Sequence, residues 1–345
     1  MCVTVQIIII AQSVRRSVRR SAFQEGPDVK ILVTGGAGFI GSALVFQLIS
    51  LGGEVLVVDD LSTGRIENLH PACTFRKMDL CDPGLSALAI SFAPDVIVHL
   101  AAQSSVTRSV ADPAENNRVN LDGTRAVAQA ACDSGAARVV FASSAAVYGD
   151  PAEIPLRETS AKAPQNPYGA SKLEGEAILA EILRPSNIDY AFARFANVYG
   201  PRQNAQGEAG VVAAFCARIT AGKPPIVNGD GTQVRDFIYV GDIVSALVIL
   251  IGADLKFSSI PEVDGPAFNI GTGAGTALTE LLMDMRQASG FHGPEEHGVA
   301  PENEVHTSTL CADKAAEILG WSSEVELSDG IQATWAWFKE QVPRS

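Results

Sequence analysis

KILVTGGAGFIGSALVFQLISLGGEVLVVDD, residues 30–60, reads as a buried strand from Ile31 to Thr34, a tight glycine turn, a helix from about Phe39 to Ser50 and a second buried strand from Glu54 to Val58. Short apolar runs on either side of an apolar helical segment make one βαβ unit. Each glycine of the turn has its own task. Gly35 permits the tight turn, Gly38 lets backbone approach a pyrophosphate, and Gly41 lets the helix pack against the strand. The helix N-terminus that follows points amides at phosphate oxygens. Asp59 stands 18 residues after Gly41 at the end of the second strand, where a carboxylate binds adenosine ribose hydroxyls and disfavours a 2′-phosphate. The cofactor expected here is NAD, in preference to NADP.

Outward from this unit, strand candidates recur at Asp95 to Leu100, Arg138 to Ser143, Asp189 to Arg194 and Phe268 to Ile270, with helical stretches at Asn120 to Ser134 and Ser171 to Leu183. Repeated βα units predict an α/β fold: a doubly wound parallel sheet of the Rossmann type with a smaller C-terminal substrate domain. The expected division is an N-terminal extension over 1–28, the NAD-binding core over 29–200 with returning segments near 230–272, and a substrate domain and lid mainly over 201–345. Helices are expected there near Gly210 to Thr220, Thr279 to Ala288, Ala312 to Leu319 and Gly330 to Glu340.

The 345 residues carry 26 Lys+Arg against 39 Asp+Glu, a formal charge of −13. Such a chain is a poor partner for nucleic acid or an anionic membrane. Residues 1–24 differ, holding four arginines and no acid after the short apolar stretch Val5 to Ala11. That stretch is far below the roughly 20 residues that cross a bilayer, and its arginines follow it, so it matches a secretory signal poorly. An organelle-targeting peptide, an extension and an early start codon are the open readings. The six cysteines are widely spaced without a CxxC, which fits a reducing, cytoplasmic setting. No metal site is expected. His99 reads as a packed core residue, and His292, His297 and His306 as loop residues; the C-terminal Trp321, Trp335 and Trp337 read as packing.

Tyr168 and Lys172 lie four apart at a helix start and share a face, where an ammonium stabilises phenolate over phenol. A tyrosine with a pKa of about 10 needs such help to act as a base near neutral pH. Ser144 follows a strand at the sheet edge where open α/β sheets place ligands. Together Ser144 and Tyr168 can exchange a proton with an alcohol oxygen while NAD takes hydride from the same carbon.

With these residues in place, the chain resembles the extended short-chain dehydrogenase/reductase superfamily, and within it the nucleotide-sugar 4-epimerases of the UDP-glucose 4-epimerase type. The resemblance covers about residues 30 to 340. It is carried by VTGGAGFIG (33–41), VVDDLSTG (57–64), MDL (78–80), HLAAQSSV (99–106), NLDGT from Asn120, FASSAAVYGD (141–150), NPYGASK (166–172), FARFANVYGPRQ (192–203), GDGTQVRDFIYVGD (229–242) and FNIGTG (268–273).

The resemblance implies that Gly35, Gly38, Phe39, Ile40 and Gly41 surround the NAD pyrophosphate and that Asp59 and Asp60 bind the ribose region. It puts Asp79 and Leu80 beside adenine, Ala101, Ala102 and Gln103 along the cofactor path, and Asn120 in support. Ser144, Tyr168 and Lys172 fall on the catalytic trio, of which Tyr168 and Lys172 also touch cofactor. Ser144, Asn197, Arg235 and Ser308 would meet a nucleotide-sugar substrate, Asn197 at its diphosphate and Arg235 at a phosphate. A homodimer is implied as well.

Related dehydratases carry an Asp-Glu pair after the catalytic hydroxyl, whereas this chain has Ala145 and Ala146. Without an acid to expel water, epimerisation at C4 leads. An NAD-dependent dehydrogenase of a non-nucleotide hydroxyl compound and a non-catalytic NAD-binding interaction protein are the alternatives. One departure bears on the substrate. Where the family has a second phosphate-binding arginine in Arg-x-Gly-acid, this chain reads Pro301-Glu302-Asn303-Glu304, so Arg235, with helix N-termini or Arg202, carries the diphosphate or the substrate lacks one.

Overall fold

The computed structural model describes residues 29–150, 152–205, 210–261, 264–299 and 305–341. The arginine-bearing front segment and the Pro301 to Glu304 stretch lie outside them. A seven-stranded sheet dominates the fold, with strands β1 (Lys30–Thr34), β2 (Glu54–Asp59), β3 (Thr74–Lys77), β4 (Val96–His99), β5 (Arg138–Ser144), β6 (Asp189–Phe195) and β11 (Ala267–Ile270). Their order is β11-β6-β5-β4-β1-β2-β3, and every neighbouring pair is parallel. The chain runs outward from β1 to one side and then resumes at β4 on the other. That reversal opens a crevice at the carboxyl ends of β1 and β4, the place where such sheets bind ligands.

Both faces of the sheet are covered, which is why its strands read as nearly continuous apolar runs. On one face Ile31, Val33, Val57, Val98 and Val140 pack against Leu44 and Leu48 of the helix Phe39–Ser50 and against the helix Val240–Gly252. On the other, Leu32, Leu56, Ile97 and Val139 meet the helices Leu85–Phe92, Gly123–Ser134 and Pro167–Leu183. All residues of Val240–Gly252 except Ile249 are buried. A nearly continuous apolar run of this kind is not told from a buried strand by periodicity, and this helix has no counterpart among the sequence expectations.

The expected helix Phe39–Ser50 has those bounds. The one expected from Ser171 begins earlier, at Pro167, because the Asn166 side chain accepts from Gly169 N and Pro167 occupies the first turn. Such a cap contributes about 1 kcal/mol. The helix expected from Asn120 starts at Gly123 and is preceded by a π turn over Arg118–Asp122. The segment expected from Ala312 becomes a π turn over Ala315–Leu319.

Beyond β6 the remaining strands are short. β7 (Asn197–Tyr199) pairs with β10 (Phe237–Tyr239), β8 (Ile226–Asn228) with β13 (Glu296–Gly298), and β9 (Val234–Arg235) lies between β12 (Thr276–Ala277) and β14 (Thr307–Ser308). They join a separate apolar cluster in which Phe215, Leu281, Met285 and Ile331 are buried. Trp335 and Trp337 pack against it, and Trp321 is buried with its indole N–H donating to Ser245 Oγ at 2.8 Å.

Candidate active site

β1 ends at Thr34, and Gly35 turns the chain with φ +71°, its N–H donating to Val58 O at 2.8 Å. A Cβ at Gly35 would lie 2.7 Å from Ala101 N, so the loop after β4 passes directly against the turn. Gly41 meets the turn itself: its Cβ would stand 2.1 Å from Gly35 O. The third glycine therefore seats the helix on the turn that precedes it, a closer neighbour than the strand expected from sequence. Gly38 caps the helix Phe39–Ser50 without a side chain, and the Phe39 and Ile40 side chains turn into apolar clusters.

Asp59 joins the turn to the second strand. Its carboxylate accepts from Ala37 N at 3.0 Å and Leu61 N at 2.8 Å, and burial pushes its pKa up against those bonds. Asp60 is exposed and accepts from Ser62 N at 2.8 Å. Asp79 pairs with Arg118 at 2.9 Å; burial alone would raise its carboxyl, but the Cys81 N–H and Arg118 hold it below the usual carboxylate range. Leu80 is buried, and a Cβ on Gly123 would lie 3.2 Å from it.

The loop holding Ala101, Ala102 and Gln103 is fastened by Asn120. Its amide accepts from Gln103 N at 2.8 Å and donates to Gln103 O at 2.9 Å and Ser171 Oγ at 2.9 Å. The π turn at Arg118–Asp122 puts this residue in register with both the loop and the tyrosine-bearing helix, and π turns cluster at functional sites. His99 is packed as expected, with ring nitrogens 2.8 Å from Thr34 Oγ1 and 3.1 Å from Thr124 Oγ1. Burial lowers its pKa to about 3, with help from the Lys172 charge, so it is neutral across the physiological range.

Ser144 ends β5 with its hydroxyl beside the phenol of Tyr168. Lys172, one turn further along the same helix, is buried at 4% exposure and donates to Ala142 O at 2.8 Å. Burial lowers its pKa to about 8, while Glu176 opposes that shift. Burial raises the Tyr168 phenol, and the neighbouring Ser144 hydroxyl works in the other direction. The Lys172 ammonium turns to the β5 carbonyl, and the Ser144 hydroxyl favours phenolate at Tyr168.

Asn197, Arg235 and Ser308, distant in sequence, converge on one small assembly. Arg235 is in register with Ser308 of β14 on one side and Thr276 of β12 on the other. Asn197 pairs in register with Phe237. Between them stands Asp236, a residue that sequence reasoning passed over although it lies within a quoted motif. Its backbone accepts from Asn197 N at 2.8 Å and donates to Ser308 O at 3.0 Å. Its buried carboxylate accepts from Thr272 N at 2.9 Å, Thr272 Oγ1 at 2.7 Å, Gly273 N at 3.2 Å and Leu310 N at 3.2 Å. Asp236→Asn turns one acceptor oxygen into a donor facing those amides, a loss on the order of 1–3 kcal/mol. The expected outcome is a rise of about tenfold in KM for the substrate with NAD retained, checked by steady-state kinetics and cofactor content.

Arg202 stacks on Phe46 at 4.3 Å, on the helix Phe39–Ser50. Among the described residues no group of three or more His, Cys, Asp or Glu is placed to hold a metal ion. His297 and His306 meet Gly229 O and Thr307 Oγ1.

The family model described as the NAD dependent epimerase/dehydratase family matches residues 31–271, well over half of the chain. The chain belongs to this family. It is 41% identical over 319 residues to UDP-glucose 4-epimerase of Mycolicibacterium smegmatis, covering 91% of this chain and 99% of that protein. The structure is similar to that of UDP-glucose 4-epimerase from Thermotoga maritima with UDP-glucose, with a TM-score of 0.85, 36% identity, and coverage of 90% and 99% of the two chains. It is equally similar, at a TM-score of 0.85 and 30% identity, to UDP-N-acetylglucosamine 4-epimerase from Methanobrevibacter ruminantium in complex with UDP-N-acetylmuramic acid, covering 92% of this chain and 100% of that one. The glycine turn, the Asp59 carboxylate beside it and the Asn120-fastened loop fit NAD, the cofactor of the family.

Proposed function

We propose that this protein is an NAD-dependent nucleotide-sugar 4-epimerase acting on UDP-glucose and UDP-galactose or on an N-acetylhexosamine analogue. The observation that carries the reading is the placement of the Ser144 hydroxyl beside the Tyr168 phenol at the carboxyl edge of the sheet, one turn from a buried Lys172. The glycine turn Gly35–Gly41 and Asp59 would hold NAD, which would supply reversible hydride acceptance at C4. Tyr168, with Ser144, takes the proton of the C4 hydroxyl, holds it while the sugar is a 4-ketone, and gives it back after the sugar has presented its other face. Lys172 supplies positive charge beneath the site. Ser144 is followed by a tight turn at Ala145–Val147 whose Ala146 N donates to Ser144 Oγ at 3.1 Å; neither alanine can expel water, which favours return of the hydride over dehydration.

Asn197, Arg235 and Ser308 are the residues we assign to the substrate. The small Ser308 side chain beside Arg235 leaves room for an N-acetyl group. No helix among the described residues is long and apolar enough to cross a membrane, and we place the enzyme in the cytoplasm, where its cysteines stay reduced. We also propose a homodimer through the adjacent helices Gly123–Ser134 and Pro167–Leu183, which light scattering would test.

The function is tested by incubating purified protein with UDP-, GDP- and dTDP-sugars and separating C4 epimers by chromatography. Epimers are expected from UDP-sugars with no net change in NADH absorbance. Stoichiometric NADH would identify a dehydrogenase, and no product from any sugar would sink the assignment.

A further inference from the structure

Behind the serine-tyrosine pair lies a buried ionic cluster that the reaction as described does not use. Glu176 follows Lys172 by one turn on the helix Pro167–Leu183 and is buried. Its Oε1 accepts from Ser143 Oγ at 2.5 Å and from Arg194 Nε at 2.9 Å, and its Oε2 accepts from Arg194 Nη2 at 2.7 Å. Arg194, on β6, is 1% exposed and also donates to Asp264 Oδ1 at 3.0 Å and Tyr148 OH at 3.0 Å. Burial works against the Arg194 charge, and the forked pair with Glu176 more than restores it. Tyr148 in turn donates to Asn269 Oδ1 at 2.6 Å, and Asn269 Nδ2 donates to Leu156 O at 2.8 Å. A buried ion pair seldom adds net stability over an apolar packing of the same volume. What this one does is locate atoms. It clamps Ser143, the residue before Ser144, and it puts one carboxylate a helical turn from Lys172.

We propose that Glu176 is a positioning residue for the reaction: through Ser143 it fixes the end of β5 so that Ser144 meets Tyr168, and through its charge it keeps the buried Lys172 cationic. This rests on the assignment of Ser144, Tyr168 and Lys172 as the reacting set. The charged and titratable groups around Lys172 are Tyr168 and Glu176 from its own helix, His99 from β4, and, through Glu176, Arg194 from β6 with Asp264 and its partner Lys162. With His99 neutral, Glu176 is the anion that opposes the desolvation of Lys172.

Two substitutions separate the two actions. Ser143→Ala removes the clamp and leaves the charge. Glu176→Gln keeps an acceptor for Ser143 and removes the charge, with Arg194 still paired to Asp264. Turnover of Ser143→Ala is expected to fall about tenfold, because small displacements of a reacting group cost that much or more. Its KM, NAD content and the alkaline limb of the pH profile stay unchanged. Glu176→Gln is expected to move that limb, set near pH 8 by Lys172, downward by about one pH unit, with the same movement in an NMR titration of the Lys172 side chain. Wild-type turnover in folded Ser143→Ala overturns the clamp, and an unmoved limb and titration in folded Glu176→Gln overturn the charge role. Should Glu176→Gln fail to fold, Ser143→Ala still decides the clamp, and the NMR titration of Lys172 in the wild-type protein decides the charge role, a Lys172 that is neutral at pH 7 overturning it. Tyr168→Phe, assayed beside them, reports separately on the reacting set: full activity there refutes the assignment itself.

Discussion

Tyr168→Phe is expected to reduce turnover by about 10²- to 10⁴-fold, the range attributable to a positioned acid-base group, while the purified protein keeps its NAD. The phenol oxygen is the atom of the site that can take and return the C4 proton, and phenylalanine keeps the ring while deleting that oxygen. Ser144 cannot replace it, because an alkyl hydroxyl is a far weaker acid than a phenol. The Tyr168 backbone N–H, which donates to Ser109 Oγ at 3.2 Å, is untouched, so the helix start and the loop beneath it stay in place. Cofactor content measured by absorbance after denaturation, set beside epimer formation, separates loss of chemistry from loss of binding. A variant with wild-type turnover would remove Tyr168 from the mechanism.

Gly41→Ala is the substitution expected to damage the cofactor groove most. An added methyl would lie 2.1 Å from Gly35 O and 2.8 Å from Gly36 Cα, well inside any real contact, and both neighbours are backbone. Either the helix Phe39–Ser50 lifts or the glycine turn opens, and each displaces the helix N-terminus from the place a pyrophosphate must occupy. Overpacking of this kind costs about 1–3 kcal/mol. The expected result is protein purified without NAD, with affinity for added NAD lowered about 100-fold and a reduced Tm. Gly135→Ala is the control. Gly135 has φ +71° at a helix end with no atom within 4 Å of its Cβ position, so it bears only the backbone penalty, about 1 kcal/mol, and retains NAD. Equal cofactor loss in both variants would show that general destabilisation, and not the groove, is responsible.

The parts legible in sequence are those built from neighbours along the chain. Gly35, Gly38 and Gly41 with Asp59 announce a cofactor turn, and Tyr168 with Lys172 announces a shared helix face. What escaped is equally specific. The helix Val240–Gly252 is buried at every position but Ile249, and its apolar run reads equally well as a buried strand. Asp236 acts through its main chain and a carboxylate filled with amides from Thr272, Gly273 and Leu310, none near it in sequence. Glu176 follows Lys172 by four, a spacing that could have been read, but its partner Arg194 lies on another strand.

The amino-acid order by itself determined the parallel α/β architecture and the NAD-family turn, and it singled out Ser144, Tyr168 and Lys172 as the trio proposed to react, because strand runs, glycine turns and helical spacing are local and depend on backbone conformation nearby. Only the tertiary structure decided that Lys172 turns to the Ala142 carbonyl while the Ser144 hydroxyl stands beside the phenol, that Arg235 stands in register with Ser308, and that a buried Glu176–Arg194 pair backs the serines. The direction of a buried side chain and the value of its pKa follow from desolvation and from partners delivered by other strands, and those partners come together only when the sheet closes.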